Sequence, residues 1–290
     1  MPVPVIVGVD GSAESLAAAS WAAREAERRG RGLRLLHAWE WSPPTGRERP
    51  DGAVQRHLAR RALRQAEEYV RETSPGTRLT DEQVEGPAVA ALLRAAGQAD
   101  LLVLGSRGLS GFTGFLVGSV ALGVVARATR PVVLVRAGER AEDEHMPASD
   151  GSLSTRTRCR DVVLGVDADD PAEAAIAFAF EQARLRRARL RAVHAGPARA
   201  AVDGPWDAVD REGLLTDVLR PWREKYPGVE VAETVLPGRA QPVLIRAARP
   251  ASLLVVGHRV AQRPLGPVTG PVTHAVIHHV GCPVAVVPHY

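Results

Sequence analysis

The sequence has few aromatic residues, few cysteines and no long apolar run. Aromatic residues make up only 4% of the 290 positions although hydrophobic residues make up 45%, so Val, Leu, Ile and Ala must fill the core. Such aliphatic cores are typical of helices packed on buried parallel strands. No apolar stretch reaches the roughly 20 residues of a membrane-spanning helix, and the opening residues lack the basic and apolar segments of a secretory signal. We therefore expect a soluble protein with no secretory signal and no membrane-spanning helix.

The cysteine content and the net charge indicate the cellular compartment and the kind of ligand. The only two cysteines, Cys159 and Cys282, cannot form a disulfide framework or a zinc site by themselves. They fit a reducing compartment, so we expect a cytoplasmic protein. The net charge of +4 is small, and every basic residue except Lys225 is an arginine. Mild basicity with so few aromatic residues argues against nucleic-acid binding.

An internal repeat organises the chain. Residues 5–10, VIVGVD, reappear at 162–167 as VVLGVD, and residues 101–105, LLVLG, reappear at 253–257 as LLVVG. Self-similar segments that recur in the same order predict two copies of one domain.

The repeat predicts domains at 1–138 and 160–290, with a flexible linker at 139–159 that is rich in Glu, Asp, Ser, Thr and Gly. In each copy, short aliphatic runs alternate with Ala-, Arg- and Glu-rich helical segments, which predicts two tandem doubly wound parallel sheets of the α/β class.

In the first copy we expect strands near 3–9, 33–39, 77–84, 101–105 and 131–135, and helices near 13–29, 53–73, 88–97 and 119–129. The strand order cannot be read from the pattern. Ligands of such sheets bind at the carboxyl ends of the strands, at a topological switch point.

A glycine-rich segment follows the fourth expected strand of the first copy. Its spacing is Gly-x2-Gly-x9-Gly-Ser, beginning at Gly105 and ending at Ser119, and a helix is expected next. Glycine allows close backbone approach to a ligand, and the free N–H groups of a helix start favour an anion such as phosphate. Arg107 adds a charge-assisted donor and Ser119 a hydroxyl. The pattern predicts a phosphate-binding loop, and the alternative is a merely tight loop between strand and helix.

Together with the opening VGVDGS, the HAW at the end of the second strand and the run ADLLVLGSRG, this segment resembles the ATP-binding motif of the universal stress protein family. The resemblance covers both copies along most of the chain. It implies Rossmann-like domains that bind an adenine nucleotide, ATP, with Mg²⁺ as a candidate companion. It implies that Asp10 lies by the ribose and phosphates and Ala38 against adenine, although a turn or capping role for Asp10 is an equal alternative. The cofactor-binding residues that the resemblance implies are Asp10, Gly11, Ala38, Gly105, Ser106, Arg107, Gly108, Gly118, Ser119 and Val120.

The second copy departs from this motif at two positions. Val260 replaces the second glycine and adds a branched side chain. Pro271 replaces the serine and removes both a backbone donor and a hydroxyl. We expect this copy to bind ATP weakly or not at all, while Asp167 leaves a different or smaller ligand open.

Motifs of dedicated enzymes are absent from the sequence. There is no G-x4-G-K-[ST] loop, no G-x-G-x-x-G after the first strand and no G-x-S-x-G elbow. No nucleophile is paired with a general base, so we expect no enzymatic activity beyond slow incidental ATP hydrolysis. We interpret three histidines of the last helix, His274, His278 and His279, as surface or interface residues. We interpret His37 and His194 as packing residues at the ends of strands.

The sequence thus predicts an ATP-binding regulatory or stress-response protein with an unidentified protein partner. One alternative is an interaction scaffold that binds no nucleotide. Another is a nucleotidyl transferase, although residues 10–13, DGSA, do not match the pyrophosphate-grasping loop that it needs. Both copies end in an apolar strand after a proline. Such edges invite pairing, so we expect a pseudo-dimer of the two domains, or a homodimer of chains.

Overall fold

The computed structural model describes residues 3–39, 52–106, 117–196, 206–260 and 269–290. The chain divides into two compact units, Met1–Arg140 and Ala141–Tyr290. Each unit is an α/β domain with a parallel sheet, which confirms the expected fold class. In the described part of the chain, no helix is long and apolar enough to cross a bilayer.

Strands and helices alternate in the first unit. In chain order they are β1 (Val5–Gly8), α1 (Ala13–Arg28), β2 (Leu33–Trp39), α2 (Gly52–Thr73), β3 (Leu79–Glu85), α3 (Ala88–Ala96), β4 (Leu101–Ser106), α4 (Ser119–Val125) and β5 (Val132–Arg136). The strand order is β3-β2-β1-β4-β5, and every pairing is parallel. The chain therefore moves outward from β1 to β3 and then returns to the other side of β1. The topological switch point lies between β1 and β4.

Helices cover both faces of this sheet. The contacts pair α1 with α2 and α3 with α4, and each pair packs on strands. Because both faces are covered, the central strands are aliphatic throughout rather than alternating, and Leu101, Leu102 and Val103 of β4 have no exposed surface.

The ends of α1 and α4 show how local sequence sets the helices. Ser12 caps α1, because its Oγ accepts the N–H of Ser15 at 3.2 Å. The last expected helix was too long, since α4 ends at Val125 rather than near 129. Pro131 disfavours helical backbone at the residue before it, and the preceding residues lead into β5.

The second unit repeats the same topology. Its elements are β6 (Val162–Val166), α5 (Glu173–Arg186), β7 (Leu190–Gly196), α6 (Trp206–Lys225), β8 (Val231–Pro237), α7 (Ala240–Ala247), β9 (Leu253–Arg259), α8 (Pro271–His279) and β10 (Val284–His289). The strand order is β8-β7-β6-β9-β10, again with parallel pairings. Its switch point lies between β6 and β9.

The polar segment at 139–159 carries its own hydrogen bonds. It contains a short 3-10 helix, Ala141–Glu144, and an antiparallel bridge joins His145 to Cys159. Arg160 Nε donates to the carbonyl of His145 at 2.7 Å. The segment that we expected to be a flexible linker is therefore hydrogen-bonded to residues that lead into β6.

Candidate functional site

A cleft of about 230 Å³ opens at the carboxyl ends of β1 and β4 in the first unit. This is the switch point, where ligands of doubly wound sheets bind. Its lining residues are Gly8, Val9, Asp10, Ser12, Glu14, Ser15, Leu36, Ala38, Ala88, Leu92, Leu104, Gly105, Gly118, Ser119, Val120 and Ala121.

A hydrogen-bonded turn after β1 forms one side of the cleft. Asp10 Oδ1 accepts the N–H of Ser12 at 2.9 Å and its hydroxyl at 2.5 Å. The N–H of Asp10 donates to Ser15 Oγ at 3.3 Å. Gly11 supplies the positive φ of +85° that the turn requires. Ser12 and Ser15 thus hold an exposed carboxylate at the mouth of the cleft.

Gly105 lets α1 pack closely against the end of β4. A Cβ at this position would lie 2.7 Å from the carbonyl carbon of Glu14 and 2.8 Å from the nitrogen of Ser15. Both are backbone atoms of the first turn of α1, so a side chain at position 105 would push that turn away.

The opposite side of the cleft combines an apolar floor with a polar rim. Leu36, Ala38 and Leu92 contribute apolar surface, and Gly118 and Ser119 form the start of α4. A largely apolar cleft with a few placed polar groups is the usual form of a small-molecule site.

The structure brings six of the ten expected site residues into the cleft: Asp10, Ala38, Gly105, Gly118, Ser119 and Val120. Gly11 and Ser106 are not among the described lining residues. Gly11 shapes the turn, and the buried Ser106 donates its hydroxyl to the carbonyl of Val135 at 3.2 Å. Successive side chains of a strand point to opposite faces, so Ser106 points away from the side that Gly105 presents. Arg107 and Gly108 lie outside the described residues.

Sequence reasoning missed several polar lining residues, above all Ser12, Glu14 and Ser15. The signal for Ser12 was available, because a helix cap next to a switch point must face the ligand side. Ser15 had no separate signal, since its role comes from the hydrogen bonds that join it to Ser12 and Asp10.

His37 stands at the end of β2, next to Ala38. Burial lowers the pKa of His37, while the Val9 backbone and the Asp10 carboxylate oppose that shift. The neutral imidazole is therefore favoured, which agrees with a packing interpretation.

A corresponding cleft of about 620 Å³ lies at the β6 and β9 ends in the second unit. Asp167 lines it, at the repeat position of Asp10. Two further carboxylates, Asp169 and Asp170, stand at the positions of Ser12 and Ala13 in the first copy. Asp170 forms an ion pair with Arg259 across the cleft.

The two altered motif positions of the second copy have clear places in the structure. The N–H of Val260 donates to the carbonyl of His289 at 2.9 Å and so extends the β9–β10 ladder. Pro271 is the first residue of α8 and lines the cleft.

The fold and the two switch-point clefts together define the structural class of the protein. The chain is a tandem pair of doubly wound α/β domains of Rossmann-like topology, each with a ligand-sized cleft at its switch point.

The family follows from comparison with known proteins. The model of the universal stress protein family matches residues 1–136 and 159–288. Universal stress protein Rv2005c of Mycobacterium tuberculosis is 31% identical over 297 aligned residues, covering 97% of this chain and 96% of the relative. The chain therefore belongs to the universal stress protein family.

Two solved structures of universal stress proteins were compared with the chain, and the first shares its fold. A universal stress protein from Archaeoglobus fulgidus superposes with a TM-score of 0.73 at 18% identity, covering 99% of each chain. A universal stress protein in complex with cAMP is 31% identical and covers 47% of this chain and 97% of its own, with a TM-score of 0.36.

Proposed function

We propose that the first domain binds an adenine nucleotide, ATP, and that the protein is a nucleotide-dependent regulatory or stress-response protein. The observation that carries the proposal is the cleft at the β1–β4 switch point, where an acceptor carboxylate faces a glycine–serine rim across an apolar floor. The apolar floor suits a base, and the carboxylate of Asp10 suits ribose hydroxyls, which are donors. The hydroxyl of Ser119 suits a phosphate oxygen.

Magnesium enters this proposal as a companion of the phosphates. Among the described residues no cluster of three His, Cys, Asp or Glu side chains could hold a metal ion. Mg²⁺ is commonly held by phosphate oxygens, waters and only one or two carboxylates. Asp10 and Ser119 are the protein groups that fit such a role here.

We further propose that the nucleotide is a regulator rather than a substrate for turnover. The described lining of the first cleft contains the carboxylates of Asp10 and Glu14 but no His, Cys or Lys side chain. It thus lacks the side chains most often used as activated nucleophile or general base, and the Ser12 hydroxyl next to Asp10 is already engaged as the cap of α1. A protein partner and a cytoplasmic location, consistent with Cys159 and Cys282 not being joined in a disulfide, belong to the same proposal. Association through the closing strands stays a prediction.

We propose that the second domain binds ATP weakly or not at all. Asp169 and Asp170 would face the phosphates with two negative charges, and Arg259 already has Asp170 as its counter-ion. Pro271 supplies neither a hydroxyl nor an N–H to the ligand.

The repeat offers a matched pair of variants for the test. Calorimetric titration with MgATP should give one site per chain. Asp10→Asn keeps the acceptor oxygen for Ser12 but removes the charge, so we expect the affinity to fall by about 10- to 100-fold, as for a lost charged hydrogen bond. Asp167→Asn makes the same change in the second cleft and should leave the affinity unchanged. Absence of binding by folded, nucleotide-free protein would leave the scaffold alternative, and equal effects of the two variants would contradict a silent second domain.

A further inference from the structure

A basic cleft of about 380 Å³ lies in the second unit, away from the switch point. The residues that line it with a cationic side chain or a thiol are Arg158, Cys159, Arg184, Arg187, Arg189 and Lys225. These residues precede β6, β7 and β8, so the basic cleft is at the amino ends of the strands, whereas the ligand cleft described above is at their carboxyl ends.

The charge of the basic cleft favours an anion. Five cationic side chains line it, and Glu230 is the one carboxylate among its described lining residues. Arg189 is paired with Asp161 at 2.7 Å. Within the part of the chain that the structure describes, neither Arg158 nor Arg187 has a carboxylate within ion-pair distance. The cleft thus has cationic donors in excess of its internal counter-ions.

Arg187 is held in an unusual backbone conformation. Its φ of 49° and ψ of 40° place it in the left-handed region, and no other non-glycine residue in the described ranges has a positive φ. The matching position of the first copy is Gly30, with a φ of 63°. Glycine adopts this conformation without steric cost, and other L-residues do not. An arginine at a position where glycine is easier suggests that its side chain has a use, because such strain is concentrated at functional sites.

Cys159 in this cleft faces an oriented imidazole. Its Sγ lies 3.9 Å from Nε2 of His145, whose Nδ1 lies 2.6 Å from the carbonyl oxygen of Thr157. Because a carbonyl only accepts hydrogen bonds, Nδ1 carries a proton, and the tautomer that this contact selects presents the Nε2 lone pair to the sulfur. A nucleophile next to a base that a third group orients is the arrangement of an activated thiol, and neighbouring cations stabilise a thiolate.

We propose that Cys159 is a thiol–disulfide exchange site for small anionic disulfides, and that the basic cleft binds their carboxylates. The thiol proton passes to Nε2 of His145, and the thiolate attacks one sulfur of the disulfide. The disulfide bond breaks, a Cys159 mixed disulfide forms, and the other half leaves as a thiolate that takes up the proton from His145. A reducing thiol reverses the modification. The proposal is independent of nucleotide binding in the first domain.

The test uses the full chain with Cys282→Ser, which leaves Cys159 as the single thiol. Adduct formation is followed by intact-protein mass spectrometry with glutathione disulfide, which is anionic, and with cystamine, which is cationic. We expect glutathione disulfide to react faster by about fivefold or more at low salt, the order expected for one unit charge at contact distance in water. The ratio should fall towards one in high salt.

Variants separate recognition from activation. Arg187→Gly should lower the rate with glutathione disulfide but not with cystamine, and its melting temperature should not fall because glycine suits this φ. Arg249→Gly removes an exposed arginine outside the basic cleft and should leave the ratio unchanged. His145→Gln should slow both reagents and move the rise in rate to higher pH. Equal rates for the two disulfides, identical behaviour of the two arginine variants, or no adduct at Cys159 would overturn the proposal.

Discussion

Replacing Gly105 by alanine perturbs the candidate nucleotide site through packing alone. The added Cβ would lie 2.7 Å and 2.8 Å from backbone atoms of Glu14 and Ser15, where ordinary carbon contacts are about 3.5–4.0 Å. Backbone of a capped helix cannot rotate aside as a side chain can, so the start of α1 must shift by roughly 1 Å. Overpacking of this kind costs about 1–3 kcal/mol of unfolding free energy.

The same shift should weaken ATP binding. Ser15 is hydrogen-bonded to Asp10 and Ser12, so movement of the first turn of α1 moves the carboxylate that the proposal places at the ribose. The methyl group also enters the cleft that Gly105 lines. Stability and affinity should therefore fall together.

Two other glycines provide controls. Gly257→Ala makes the corresponding change in the second domain, where the Cβ would lie 2.8 Å from Ala172 Cβ, and should destabilise that domain without changing ATP affinity. Gly213 is exposed within α6, and a Cβ there meets nothing within 4 Å. Gly213→Ala should therefore stabilise by up to about 1 kcal/mol.

Urea unfolding followed by hydrogen exchange assigns each loss to a domain, and calorimetry gives the affinity. A Gly105→Ala protein with unchanged first-domain stability would refute the packing argument. A destabilised Gly105→Ala protein with wild-type ATP affinity would instead show that ATP does not bind in the cleft that Gly105 lines.

Two further predictions concern ionisable side chains of the first domain, His37 and Arg29. Burial lowers the folded-state pKa of His37 below its ordinary value of 6.5, so the unfolded chain takes up a proton that the folded chain resists. Stability should be complete above about pH 6.5 and decline as the pH falls below it. His37→Gln should remove its share of this decline in urea titrations across pH, and parallel wild-type and variant curves would contradict the assignment. Arg29 forms ion pairs with two carboxylates. Its Nε lies 2.6 Å from Oε1 of Glu25, which has no exposed surface, and its Nη1 lies 2.7 Å from Oδ2 of Asp100. Arg29→Met should cost about 3–5 kcal/mol, because a buried carboxylate loses its main counter-ion, whereas a loss below about 1 kcal/mol in urea unfolding would show that Arg28 compensates.

Much of the fold follows from the sequence because its signals are local and occur twice. Periodicity placed most ends of the first-domain strands and helices within one or two residues. Strand order depends on contacts between distant segments and could not be read, so the switch point had to come from the structure. The same limit affects Ser106, which stands next to Gly105 in the motif but points to the other side of β4 and donates to Val135. Ser15 was missed because its place in the site depends on a hydrogen-bond network rather than on a motif.

The internal repeat also shows which motif residues carry information about a ligand. Gly257 persists in the second copy although Val260 and Pro271 change the rest of the motif, and its Cβ would clash with Ala172. A packing requirement is therefore enough to explain a glycine at this position, and Gly105 by itself is weak support for a nucleotide. Ser119 is different, because Pro271 starts the equivalent helix equally well. Packing does not require the hydroxyl at this position, so loss of ATP affinity in Ser119→Ala, with unfolding free energy unchanged, would distinguish a ligand contact from a structural one.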